Sequence, residues 1–154
     1  MRSGYPGAMS FQPKDPNFKD RVRADFDRQN AMRTLGVEIV RVEPGEIELS
    51  MPYSGNLTQQ HGYIHAGIIT TALDSACGYA AFSLMPAEAA VLTVEFKTTL
   101  IAPAKGDRFV FRANVVKAGR TLTFCEGRAF GVTNEEERLI ATMSGTLFAF
   151  IERA

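Results

Sequence analysis

The sequence predicts an α+β fold in which an antiparallel sheet of about six strands wraps around one long buried helix, with an N-terminal helix beside it. Residues 66 to 82 are apolar nearly all round, the character of a helix enclosed on most sides rather than laid on a surface. Strand-like runs with period-two alternation flank that segment, two before it and four after. Short turn signals join the last four runs, so neighbouring strands run antiparallel.

The elements follow in chain order. Residues 1 to 16, rich in Gly, Pro and polar residues, read as a flexible leader, and 17 to 154 as a single domain. Residues 17 to 34 place Phe18, Val22, Phe26 and Met32 close to one helical stripe, and Gly36 is a helix stop. Val37 to Glu43 reads as a strand, Pro44-Gly45 as a turn, and Glu46 to Tyr53 as a second strand with Ile47, Leu49, Met51 and Tyr53 on one face. A polar loop then leads into the buried helix, which Pro86 closes. In the next run Leu92, Val94, Phe96 and Leu100 alternate with Thr93, Glu95, Lys97 and Thr99. Phe109, Phe111, Ala113 and Val115 form the following apolar face. Ala118-Gly119 marks a turn before Thr121 to Phe130, and Asn134 to Glu137 a charged turn before a last strand from Leu139 to Ile151.

Bulk properties narrow the function. The 154 residues suffice for one domain with a real core. The 17 basic and 17 acidic residues cancel, so no global charge draws the chain to nucleic acid or anionic lipid. No apolar run reaches the roughly 20 residues needed to span a bilayer. The opening Met1-Arg2-Ser3-Gly4-Tyr5-Pro6-Gly7 lacks the apolar core of a secretion signal. Cys77 and Cys125 have neither metal-ligand spacing nor a disulfide pattern. These features lead to the expectation of a cytoplasmic protein without a metal, a nucleic-acid partner or a membrane anchor.

One residue does not fit its surroundings. Asp74 lies inside the apolar helix, where an unpaired carboxylate costs several kcal/mol. Two readings stand. It is a buried Asp tied to a donor such as Thr70 or Ser75, or it is a carboxylate in a dry cleft, made basic enough to act on water or a carbonyl. The helix start adds a second feature. Backbone N–H groups there lack intrahelical partners and can cradle an oxyanion, and Ala66 and Gly67 are small enough for close approach. Asp74 is about two turns further on, roughly 12 Å along the axis. One carbonyl cannot meet both positions of a single helix, which points to a site shared between subunits. The open edges of the sheet also need covering, so the expectation is a homo-oligomer, a dimer or a dimer of dimers.

Around these residues the sequence resembles the hotdog-fold thioesterases, specifically the PaaI-like (phenylacetate-pathway) group. That group carries an Asn-containing loop, then His-Gly-Gly, then an Asp nine residues after the His. Here the match is His65-Ala66-Gly67 followed by Leu73-Asp74. It continues through Leu92-Thr93-Val94-Glu95-Phe96, the turn Ile101-Ala102-Pro103-Ala104-Lys105-Gly106-Asp107, and the hairpin Lys117-Ala118-Gly119-Arg120-Thr121, covering about residues 46 to 150. The resemblance implies a hotdog fold and hydrolysis of an acyl-CoA thioester, with coenzyme A as part of the substrate and no separate cofactor. It implies Asp74 as the catalytic carboxylate, Ala66 and Gly67 as oxyanion donors, His65 beside them, and Gln59 and Thr93 as positioning groups. Lys105, Arg120 and Thr121 would then contact coenzyme A. Two departures stand out: Ala66 replaces the first Gly of the pattern, and Gln59 occupies the place of its Asn.

Each candidate also has a structural reading. His65 can order the loop and cap the helix, Thr93 can be a sheet hydroxyl, and His61 an exposed loop residue. Lys105 and Arg120 can be solvated turn charges. Cys77 and Cys125 read as core residues, having no evident activating partner. Tyr79, Phe82 and Phe96 read as core by default, with an acyl tunnel as the functional alternative. Two competing functions share the fold: an enoyl-thioester hydratase or dehydratase, and a non-catalytic acyl-CoA binding module. Proton exchange at the α-carbon without thiol release marks the first, and tight binding without turnover marks the second.

Overall fold

A computed structural model describes residues 10–152. The chain runs through helices α1 (Phe18–Asp27) and α2 (Asn30–Leu35), strands β1 (Glu38–Glu43) and β2 (Glu46–Pro52), helix α3 (Ala66–Phe82), and strands β3 (Ala89–Leu100), β4 (Arg108–Ala118), β5 (Leu122–Thr133) and β6 (Glu136–Ile151). One six-stranded sheet has the order β1-β2-β4-β5-β6-β3, antiparallel throughout. Helix α3 packs against β2, β3, β4, β5 and β6, so the sheet curves around it as the alternation predicts. The fold is the hotdog arrangement. No described helix is long and apolar enough to cross a membrane.

Close approach of α3 depends on a gap in β5. A Cβ at Gly127 would lie 3.1 Å from Leu73 Cδ2 and 3.2 Å from Cys77 Sγ, so glycine lets the helix approach without either side chain giving way. Leu73, Ala76, Cys77 and Ala80 are buried there with Leu49, Phe109 and Phe111 of β2 and β4.

Four expectations change. The single helix expected over 17 to 34 is two, because Gln29 adopts an extended conformation (φ −81°, ψ 96°). That break redirects the chain so that Met32 and Leu35 are buried, and it frees the Gln29 carbonyl to accept from Met32 and Arg33. Gly36 ends α2 with φ 71°, as its sequence position predicts. Of the expected leader, residues 1 to 9 lie outside the described residues, but Phe11 packs on the core. Asp15 is buried and forms a 2.9 Å ion pair with Arg21, whose guanidinium also donates to the carbonyls of Phe82, the last residue of α3, and of Met85 and Pro86 just past it. The packed unit therefore reaches back to at least Phe11. The charged turn narrows to Asn134-Glu135, both with positive φ, and residues 136 to 138 join β6, where Glu137 receives two 2.7 Å bonds from Arg112. Finally, the alternation of β3 is broken by a bulge between Thr93 and Glu95. Thr93, Phe96 and Leu100 pair with Leu147, Gly145 and Ala141 and share their inward face, whereas Leu92 pairs with Phe148 on the outer face. As an edge strand β3 leaves Leu92 58%, Val94 58%, Phe96 46% and Leu100 57% exposed.

Candidate active site

Among the described residues, Asp74 is held by a single hydroxyl. Thr93 Oγ1 donates to Asp74 Oδ1 at 2.7 Å, joining α3 to β3. Burial pushes the carboxyl above the ordinary aspartate range, and the Thr93 bond opposes that rise. Neither Thr70 nor Ser75 holds the carboxylate: Ser75 donates instead to Gln29 Oε1 at 2.9 Å. The bulge in β3 places Thr93 on the helix side, so this pair depends on an irregularity that simple alternation does not reveal.

The start of α3 is organised by His65. Its Nδ1 accepts the Gly67 N–H at 2.9 Å, making His65 the N-cap. A Cβ on Gly67 would lie 3.1 Å from that nitrogen, so the small residue serves the cap. The Gly67 N–H is thereby engaged, whereas the Ala66 N–H has no hydrogen-bond partner among the described residues. Of the two expected oxyanion donors, Ala66 is the one left to act.

Ala66 opens on a pocket of about 450 Å3. Gln59, Tyr63, Ile64 and Ile69 line it with residues 100 to 104, Ile140 and Ala141. Gln59 Oε1 accepts the backbone N–H of His61 and, at 3.4 Å, that of Tyr63, which fixes the side chain at the pocket wall. Sequence reading missed the wall at 101 to 104. The turn it belongs to was visible, but its lining role follows from Ile101 and Ala102 donating to the Ile140 carbonyl and Ile64 to the Ala104 carbonyl.

The candidates therefore form two groups. Ala66 and Gln59 lie with the Leu100 end of β3, and Asp74 lies with Thr93. Thr93 and Leu100 are seven positions apart along the strand, about 23 Å. Lys105 is an exposed residue beside the first group. Arg120 and Thr121 are exposed in the β4–β5 hairpin, which adjoins the second group through the row Leu122, Phe148 and Leu92. His61 is exposed, and no group of metal-ligating side chains occurs among the described residues.

Four further candidates resolve as core. Tyr79 donates to Asp25 Oδ1 at 3.0 Å and packs edge-on to Phe26 and Phe82, so Tyr79 and Phe82 join α3 to α1 rather than line a tunnel. Cys77 and Cys125 are buried free thiols. Burial pushes the Cys125 thiol up to about 12 and raises Cys77 as well, which removes both as nucleophiles near neutral pH.

Residues 61–140 match the Thioesterase superfamily. A crystal structure of a thioesterase family protein from Silicibacter pomeroyi is similar, with 58% identity, a TM-score of 0.87, and coverage of 88% of this chain and 99% of that one. Human acyl-coenzyme A thioesterase 13 is 29% identical over 112 residues, 70% of this chain and 78% of its own. The Escherichia coli PaaI protein of the phenylacetic acid degradation operon shares the fold, with a TM-score of 0.78 at 18% identity over 87% of this chain and 94% of that one.

Proposed function

Because this chain belongs to the thioesterase superfamily, with which thioester hydrolysis goes, we propose that it hydrolyses an acyl-CoA thioester at a site shared by two copies of the chain. The observation that carries this reading is the separation of an unpartnered helix-start N–H from a desolvated carboxylate along one exposed, apolar edge strand. Two β3 edges pairing antiparallel about a twofold bring the Leu100 end of one strand to the Thr93 end of the other. Ala66 and Lys105 of one copy then meet Asp74, Arg120 and Thr121 of its mate.

In that arrangement the thioester oxygen lies on the Ala66 N–H, where negative charge develops as the carbonyl becomes tetrahedral. Asp74 takes a proton from water, the water oxygen bonds to the carbonyl carbon, and the C–S bond breaks. The proton passes from Asp74 to the leaving sulfur, giving free acid and coenzyme A. Direct attack by Asp74 through a mixed anhydride is the competing route, and a single turnover in 18O-water separates them by labelling Asp74 in that case only. Thr93 orients Asp74, Gln59 positions water or the thioester, and Lys105, Arg120 and Thr121 face the coenzyme A phosphates. The two buried, unbridged thiols support placement in a reducing compartment such as the cytoplasm.

Mixing two inactive variants tests the proposal. Asp74→Asn removes the base. Ala66→Pro removes the donor, and proline is tolerated at the first helical position. His65 at φ −58°, ψ 138° already has the backbone preferred before proline. Each variant alone should lose about a hundredfold or more in thiol release. After subunit exchange, random pairing leaves half of the dimers mixed, each with one intact site, so roughly a quarter of wild-type turnover returns. No recovery between folded, exchanging variants rejects the shared site. Undiminished turnover by Asp74→Asn rejects the catalytic assignment itself.

A further inference from the structure

We infer that the pocket beside Ala66 is the acyl subsite, that it takes an uncharged hydrocarbon acyl group of medium size, and that Ala102 sets its depth. This rests on the acyl-thioesterase reading and goes further, since neither family membership nor the catalytic groups specify an acyl chain.

The argument begins with the chemistry of the wall. Ile64, Ile69, Leu100, Pro103 and Ile140 present hydrocarbon, and Gln59 and Tyr63 are the only polar side chains of the lining. No Lys, Arg, His, Asp or Glu contributes. The other half of the substrate, the pantetheine arm, carries amides and a hydroxyl that need donors and acceptors, and this wall offers few. An alkyl or aryl chain needs only to leave water. A carboxylate at the far end of the acyl group would lose its hydration without gaining a partner, which is strongly unfavourable.

Size follows from volume. At about 30 Å3 per water-sized group, a pocket of about 450 Å3 accommodates on the order of fifteen such groups. With the thioester and its neighbours at the Ala66 end, that leaves an acyl chain of up to on the order of ten carbons. Most of the wall is built from large side chains, but Ala102 is small, half-buried and fixed by its backbone bond to Ile140. Ala102 packs against the core at the pocket wall, so a larger side chain at this position reduces the room the wall encloses, while the Ala66 N–H is left as it is.

The experiment is thiol release from acetyl-, butyryl-, octanoyl-, palmitoyl-, phenylacetyl- and succinyl-CoA by the full chain and by Ala102→Leu and Ala102→Phe. For the wild-type protein, kcat/KM should rise from acetyl to octanoyl and fall by palmitoyl. Succinyl should lie about a hundredfold or more below butyryl, its four-carbon uncharged counterpart. The octanoyl-to-acetyl ratio should drop about tenfold in Ala102→Phe and by less in Ala102→Leu. Succinyl turned over as well as butyryl overturns the inference, whether or not either variant folds. So does an unchanged octanoyl-to-acetyl ratio in variants whose melting transitions match wild type. Absence of turnover with every acyl-CoA is a different failure: it removes the hydrolase reading and the acyl subsite with it.

Discussion

Replacing Thr93 with valine isolates the contact that tunes Asp74. Val has nearly the shape of Thr, so β3 keeps its packing, but the 2.7 Å bond to Asp74 Oδ1 is lost. A hydrogen bond to a charged acceptor contributes about 1.5 to 3 kcal/mol, and because Thr93 is exposed and Asp74 only partly buried, this one lies near the lower end. Removing the bond therefore moves the Asp74 midpoint, and about 1.4 kcal/mol corresponds to tenfold in an equilibrium. The direction follows from the two opposed causes. Burial raises the carboxyl and Thr93 lowers it, so the valine variant leaves burial unopposed and the midpoint goes up. The acidic limb of the pH profile of kcat/KM should shift to higher pH, with about a tenfold loss at pH values below the wild-type midpoint. Thr93→Ser, which retains a hydroxyl, should restore the wild-type profile. An acidic limb that stays in place, or moves down, in a folded Thr93→Val protein refutes the assignment of Asp74 as the base that Thr93 tunes.

Three other outcomes are expected. Asp74→Asn should raise the melting temperature near neutral pH, because a group whose folded pKa is raised gives its full stability below the unfolded value and loses it as pH rises through the folded one. Melts at about pH 4 and about pH 8 check the sign, since the advantage of Asn must be larger at the higher pH. Gly127→Ala should destabilise the protein by about 1 to 3 kcal/mol in urea denaturation, since its Cβ would crowd Leu73 and Cys77; a smaller loss would mean that α3 is free to move away from β5. Glu135→Gly should stabilise by about 0.5 to 1 kcal/mol, because Glu135 has φ 63° and its exposed pair with Arg108 contributes little. Loss of stability in that variant would assign the greater weight to the ion pair.

The parts of the fold that could be read in advance are those where one local pattern admits one environment. Helix α3 is apolar on every side, so only burial under a sheet satisfies it, and Asp74 stands out against that background. Strand β2 alternates cleanly because one face meets the core. The break at Gln29 was hidden because the charged residues around it suit a continuous helix, and only burial of Met32 and Leu35 favours the turn. Thr93 was a candidate through resemblance alone, since its reach to Asp74 requires the bulge in β3. Gly67 was read as room for substrate, whereas its neighbour within van der Waals range is His65 Nδ1. Such cases turn on contacts between residues distant in sequence or on the exact path of the backbone, and periodicity carries neither.

The contrast between the two edge strands bears on the shared site. Edge strands are usually guarded by charge, bulges or shortness. Strand β1 meets that description: six residues, Glu38, Arg41 and Glu43 among them, and a bulge between Ile39 and Arg41. Strand β3 also carries a bulge and the charges Glu95 and Lys97, but it is twice as long and exposes Leu92, Val94, Phe96 and Leu100. An apolar edge of that length invites pairing in spite of those guards, and a closed arrangement satisfies it where an open one would propagate. A twofold pairing of β3 with itself does so and leaves the two guarded β1 edges outermost. The same operation brings Ala66 of one chain toward Asp74 of the other, across a gap that no rotamer within one chain can close. Under the proposed shared site, apolar exposure on β3 and the separation of Ala66 from Asp74 follow from one requirement, that the working unit contains two copies of the strand.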